Sequence, residues 1–87
     1  MKYQSIIVED LQVAAEFLRK FCEKSGAVDV VQHFLNAEDA LAFLKDNVVD
    51  LIFLDVEMPG ASGFELLDQL VYTPQVILTT SKTEYAY

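Results

Sequence analysis

Cysteine is almost absent from this chain, and so are long hydrophobic runs. The single cysteine, Cys22, cannot form an internal disulfide, which suits a reducing compartment. The apolar run nearest the amino terminus, Ile6–Val8, is far too short for a signal peptide or a membrane span. We therefore expect a cytoplasmic chain that does not enter a membrane.

Basic residues are also few. The chain has 14 Asp and Glu against 6 Lys and Arg, so its formal net charge is -8. Such a chain is repelled by nucleic acid and by anionic membranes, and we expect it to contact neither directly. Cations and basic partners are favoured instead. Low-complexity tracts are missing too, and 53% hydrophobic residues over 87 positions predict one small, packed domain.

Short apolar segments alternate with segments of helical apolar spacing along the whole chain. This order predicts an α/β fold with a parallel sheet and right-handed crossovers. The second strand mixes β-branched and polar residues, which is typical of a position near the sheet edge. The predicted strands are residues 5–8, 28–35, 51–55 and 75–79, and the predicted helices are residues 11–24, 37–46 and 64–70.

Local signals set the ends of these elements. Gly26 stops the first helix, and Asn36 caps the start of the second. Cys22 lies on the apolar stripe of the first helix, and Phe17 and Phe21 widen that stripe. We expect all three side chains in the core.

Acidic residues end two of the predicted strands. Glu9 and Asp10 follow the first strand, and Asp55 ends the third. In an open parallel sheet, the carboxyl ends of the strands share one edge, where ligands bind. If the first and third strands are adjacent, the three carboxylates share one cleft with the hydroxyl of Thr80, which follows the fourth strand.

Three carboxylates in one cleft repel each other unless a cation neutralises them. Mg²⁺ is suited to this role because it prefers oxygen ligands. With the ion bound, Asp55 could attack phosphorus as a nucleophile, and Thr80 could donate to a phosphoryl oxygen. Taken singly, Asp55 could instead cap a helix, and Glu9 and Asp10 could be first-turn acids favoured by a helix dipole. His33 has no ligand partner at metal spacing and is predicted to be an exposed strand residue.

These segments together resemble the receiver domain of bacterial two-component response regulators. The resemblance covers nearly the whole chain, from about residue 5 to residue 87. Residues 58–67 and the ending 79–86 look more like receivers of regulators with a LytTR-type DNA-binding output domain. The residues that carry the resemblance are Glu9-Asp10 after Ile6-Ile7-Val8, the run Leu51-Ile52-Phe53-Leu54-Asp55-Val56-Glu57-Met58-Pro59-Gly60 with Gly63, and Val76-Ile77-Leu78-Thr79-Thr80-Ser81.

The resemblance implies a role for each site residue. Asp55 would accept a phosphoryl group from a sensor histidine kinase. Asp10, Asp55 and the backbone carbonyl of Glu57 would ligate Mg²⁺, and Glu9 would support the ion through water. Thr80 would be the switch hydroxyl. The chain would then be a signalling module and not an enzyme, apart from its own phosphorylation and dephosphorylation.

The resemblance also implies a three-layer, flavodoxin-like receiver fold in which four of five strands are present. Residues 1–87 would be a single receiver domain that ends before the fifth strand and its phosphate-gripping lysine. Lys82 lies only two residues after Thr80 and does not match that lysine. We therefore expect weak phosphorylation of this chain by small donors. The apolar edge at Val76–Leu78 would favour self-association as a dimer or by strand exchange.

Two other functions remain open. Phosphohydrolases of the haloacid dehalogenase type also place a nucleophilic Asp after an apolar strand and use Mg²⁺. They require Asp-x-Asp, whereas this chain has Asp55-Val56-Glu57. The third alternative is an interaction module that is never phosphorylated.

Overall fold

The alternating pattern of the sequence folds into strands and helices at the expected places. The computed structural model describes residues 2–55, 68–70 and 74–79. The four predicted strands and the first two predicted helices are confirmed, with ends within a few residues of those expected. The predicted third helix lies mostly outside the described residues. The elements are β1 (Tyr3–Val8), α1 (Gln12–Ser25), β2 (Val28–Phe34), α2 (Ala37–Asp46), β3 (Leu51–Asp55) and β4 (Gln75–Thr79).

The four strands form one parallel sheet in the order β2-β1-β3-β4. The first and third strands are therefore neighbours, which is the condition for the expected cleft, and β2 is at an edge of the described part of the sheet, as its mixed composition indicated. This order is the one found in flavodoxin-like doubly wound sheets. It places the carboxyl ends of β1 and β3 side by side.

The two described helices cover opposite faces of the sheet, which gives three layers. On one face, Ile7 and Phe53 pack with Ala15 and Cys22 of α1. On the other face, α2 packs against the alternate residues of the same strands. The central parts of β1 and β3 are covered on both faces, and they are the continuous apolar runs Ile6–Val8 and Leu51–Leu54. The core on the α2 face consists of Ile6, Val8, Phe34, Ala37, Ala40, Leu44, Val49, Ile52 and Leu54.

The predicted helix boundaries have the expected hydrogen bonds. Gly26 ends α1 with a φ of 70°, in the left-handed region that favours glycine, and its N–H donates to the Cys22 carbonyl at 3.3 Å. At the start of α2, the Asn36 side chain accepts from the Asp39 N–H at 2.8 Å and donates to the Asp39 carboxylate at 3.1 Å. The Asn36 cap is confirmed.

The predicted burial of Phe17 and Phe21 is wrong, whereas that of Cys22 is confirmed. Phe17 and Phe21 are 73% and 65% exposed, and Cys22 is 2% exposed. A helix turns about 100° per residue, so Phe17 points about 200° away from the buried Ala15. Val13, which is 82% exposed, Phe17 and Phe21 are spaced by four residues. All three therefore lie on the side of α1 that faces away from the sheet.

The β1–β2 pairing contains one irregularity. Ser5 pairs with Val30, but the next residue, Ile6, pairs with Gln32, so Val31 is an extra residue on β2. After such a bulge, each β2 side chain lies on the face of the sheet opposite to the one that it would occupy if the register had continued unchanged.

On the other side of the sheet, β4 is the edge strand of the part that the structure describes. Ile77 and Leu78 of β4 are 46% and 51% exposed. The predicted apolar edge is present, while the self-association expected from it stays a prediction. None of the helices among the described residues has the length and apolar character needed to cross a membrane.

Candidate functional site

The acidic residues that end β1 and β3 meet at the carboxyl edge of the sheet. Val8 is paired with Leu54, so the residues that follow them, Glu9 and Asp55, lie at the same level. Both are almost completely buried, and Asp10 is half-buried. One oxygen from each of the three carboxyl groups lies within 4.8 Å of the other two. The strand order thus brings Asp55 beside Glu9 and Asp10, which precede it by 45 or more residues in sequence.

The backbone and side chain of Glu9 are both held in place. Its N–H donates to the Phe34 carbonyl at 2.9 Å, which extends the β1–β2 ladder by one residue. Its Oε2 accepts from the Leu11 N–H at 3.1 Å. Its carboxyl group also lies beside those of Asp55 and Asp10. The start of α1 is consequently tied to the end of β1 through this one side chain.

Burial in the cluster changes the ionisation of Glu9. The pKa of Glu9 is raised from 4.5 to about 8. Removal from water is the main cause, and a hydrogen bond with Asp55 is the second. At neutral pH, the carboxyl group of Glu9 is therefore protonated, and its O–H can donate a hydrogen bond to a neighbouring carboxylate. Without a cation, the cluster reduces its own repulsion by keeping this proton.

The donor set suits a hard divalent cation. Mg²⁺ prefers oxygen ligands and retains several waters. The three carboxyl groups supply such oxygens, and Asp10 is the one that is partly exposed to water. A divalent charge would replace the proton of Glu9 as the means of neutralisation. Asp10 and Asp55 are the residues that could hold such an ion directly, with Glu9 beside them.

The other two expected site residues, Thr80 and Glu57, lie outside the described residues. Their expected roles stay predictions.

His33 is a residue whose position the sequence did not indicate. It was expected to be an exposed strand residue, and this is wrong, because it is half-buried and its Nε2 lies 2.8 Å from the Glu9 carbonyl oxygen. The cause is the bulge at Val31, which places His33 opposite Ile7 on the α1 face of the sheet. The segment 28–35 contains no glycine or proline that would have signalled the bulge.

Comparison with known proteins identifies the class. A sequence profile described as the response regulator receiver domain matches residues 6–87. The chain belongs to this family, whose members are signalling modules of two-component systems.

Individual relatives agree with this assignment. The transcriptional regulatory protein BtsR of Escherichia coli is 31% identical over 83 residues, which cover 93% of this chain and 35% of BtsR. The sensory transduction protein LytT of Bacillus anthracis is 29% identical over 84 residues, covering 93% of this chain and 34% of LytT. This chain thus spans about a third of the length of these relatives.

A solved structure agrees in fold as well as in sequence. The response regulatory domain of protein MrkE from Klebsiella pneumoniae superimposes with a TM-score of 0.80 at 32% identity. The match covers 95% of this chain and 70% of that domain. The flavodoxin-like receiver fold expected from the sequence is thereby confirmed.

Proposed function

We propose that Asp55 accepts a phosphoryl group from a sensor histidine kinase and that residues 1–87 act as one receiver domain. The observation that supports this proposal is the meeting of Glu9, Asp10 and Asp55 within 4.8 Å at the ends of two adjacent central strands. In the transfer, an Asp55 carboxylate oxygen forms a bond to phosphorus, and the bond from phosphorus to the histidine nitrogen of the kinase breaks. The electron pair of that bond leaves with the nitrogen.

The neighbours of Asp55 have separate tasks in this proposal. Asp10, Asp55 and the backbone carbonyl of Glu57 would hold Mg²⁺, and Glu9 would support it through water. The ion would supply charge neutralisation, so that an anionic carboxylate and an anionic phosphoryl group can approach. The hydroxyl of Thr80 hydrogen-bonds to the transferred group and acts as the switch.

The consequence of phosphorylation is a changed contact with other proteins. BtsR is described as a transcriptional regulatory protein and LytT as a sensory transduction protein, which supports an output domain that regulates transcription. A LytTR-type DNA-binding domain is the proposed recipient of the signal. The segment has a net charge of -8, so DNA contact is left to the output domain. The proposed location is the cytoplasm, and the exposed side chains of β4 are the proposed surface for self-association.

The function is tested by covalent labelling. The protein is incubated with a phosphoramidate or acetyl phosphate and Mg²⁺, and its intact mass is followed with time. Transfer to a receiver gives at most one phosphoryl group per chain. Continuous release of phosphate from a phosphate ester would instead favour the haloacid dehalogenase type of hydrolase.

Addition of Mg²⁺ is expected to raise the thermal midpoint at pH 8. An ion that binds only the folded chain adds about 1.4 kcal/mol of stability at ten times its Kd, or roughly 8 °C for a domain of this size. Thermal unfolding with and without Mg²⁺ measures the shift.

Two single substitutions test whether the shift depends on the acidic cluster. Asp10→Asn should remove the shift, and Asp46→Asn, at the exposed end of α2, should retain it. A midpoint that Mg²⁺ leaves unchanged in the wild type would point to an interaction module without a metal.

A further inference from the structure

His33 is joined to the acidic site through the main chain. Its Nε2 is 2.8 Å from the carbonyl oxygen of Glu9, a residue 24 positions earlier in sequence. A carbonyl can only accept, so the imidazole Nε2–H is the donor. His33 is half-buried, so part of this hydrogen bond is shielded from water.

The imidazole acts where the strand ladder stops. The last backbone bond from β1 to β2 runs from the Glu9 N–H to the Phe34 carbonyl, and Phe34 is the final residue of β2. Beyond it the chain turns at Asn36 into α2. The side chain of His33 therefore supplies a donor to the Glu9 carbonyl at the point where the backbone of β2 has turned away.

The bulge in β2 makes this contact possible. With the register of Ser5 and Val30 continued, His33 would lie opposite Val8 on the α2 face of the sheet. The extra residue, Val31, shifts His33 to Ile7 and to the α1 face, beside the β1–α1 connection that carries Glu9 and Asp10.

We propose that His33 is a positioning residue of the acidic site, because its Nε2–H fixes the peptide group between Glu9 and Asp10. That peptide group is planar, so the direction of the Glu9 carbonyl also sets the direction of the Asp10 N–H and the position of its Cα. Glu9 is already held by its N–H and its carboxylate. The imidazole adds the constraint that extends to Asp10, and thus to the geometry of the cation ligands. This inference rests on the proposed role of Asp10 and Asp55 in binding Mg²⁺.

The test compares three variants of the full chain at a single pH. His33→Leu removes the donor, and His33→Gln retains it, because the terminal amide nitrogen of Gln reaches about as far as Nε2. Gln32→Leu, on the exposed neighbouring position of β2, controls for leucine on this strand. Mg²⁺ affinity is measured by calorimetry, and hydrogen exchange of the Leu11 amide, which donates to Glu9, is measured by NMR without metal.

The expected results separate positioning from packing. His33→Leu should weaken Mg²⁺ binding about tenfold, as loss of an outer partner of metal ligands does. It should also speed exchange of the Leu11 amide. His33→Gln and Gln32→Leu should stay close to the wild type in both measurements.

Several outcomes would overturn the inference. Wild-type affinity in His33→Leu would show that the hydrogen bond does not position the ligands. Equal losses in His33→Leu and His33→Gln would assign the effect to the ring and not to its N–H. Absence of saturable Mg²⁺ binding in the wild type would defeat the metal role itself. In that case, unchanged amide exchange in metal-free His33→Leu would refute the positioning of the loop independently.

Discussion

Asp55→Asn is expected to abolish phosphoryl labelling of the chain. Asp55 is fully buried at the end of β3, where its carboxylate lies beside the carboxyl groups of Glu9 and Asp10. An amide is not a nucleophile toward phosphorus, so the weak labelling expected of the wild type should be absent from the variant. Intact mass after incubation with acetyl phosphate and Mg²⁺ gives the fraction directly.

The matched control lies at the other end of the same strand. Asp50 immediately precedes β3, and its Oδ2 accepts from the Gln4 N–H at 2.9 Å. Asp50→Asn retains an acceptor for that bond and should be labelled as well as the wild type. Labelling that persists in Asp55→Asn, or that disappears in Asp50→Asn, would place the acceptor elsewhere in the chain.

Glu9→Gln is expected to remove a pH dependence of stability that the metal-free wild type shows. The pKa of Glu9 rises from 4.5 to about 8 on folding, chiefly because the group is buried. Between these values the folded chain holds a proton that the unfolded chain has released. The free energy of unfolding therefore falls as the pH rises through this window, and the group adds no further change well above pH 8.

The expected difference between wild type and Glu9→Gln is large for a small domain. Glutamine stays neutral at every pH, so the variant should be more stable than the wild type at pH 9 by on the order of 3 kcal/mol. Urea unfolding at pH 5 and pH 9 in the presence of a chelator measures this difference.

A matched acid on the surface provides the comparison for Glu9. Glu16 is exposed on α1, and Glu16→Gln should keep the pH dependence of the wild type. Parallel loss of stability with pH in Glu9→Gln and the wild type would contradict the assignment to Glu9.

Much of the fold was predictable because central parallel strands leave a clear signature. β1 and β3 are covered on both faces, which requires continuous apolar residues, and each run ends at the residue that reaches the sheet edge. Asn36 and Gly26 mark helix ends through local hydrogen bonds and local φ, which depend on few neighbours. The strand order was expected only through the resemblance to receiver domains, because right-handed crossovers fix the handedness of each connection and not the order of the strands.

The acids of the site were predictable for the same reason. Glu9 and Asp55 follow apolar strands directly, so their location needs only the strand ends and the adjacency of β1 and β3. The ionisation of Glu9 was not predictable in the same way. It depends on the burial of its carboxyl group and on its contact with Asp55, neither of which is a property of sequence spacing.

The errors concern features that depend on three-dimensional neighbours. Phe17 and Phe21 have apolar character and helical spacing, but whether a stripe is covered depends on what packs beside the helix. The orientation of His33 depends on the bulge at Val31, a one-residue change of register that composition does not reveal. In both cases the local pattern correctly predicts a helix or a strand. It does not predict whether the side chain is buried or exposed.

The central position of the first strand has a consequence for how the chain reaches its working state. Asp50 is tied to Gln4 by two hydrogen bonds, Gln4 N–H to Asp50 Oδ2 and Asp50 N–H to the Gln4 carbonyl, across 46 residues of sequence. Closing so long a loop carries an entropic cost in folding. The same pairing of β1 with β3 brings Asp10 beside Asp55. The acidic cluster therefore requires the third strand to have joined the first, and cation binding at the cluster would depend on that pairing.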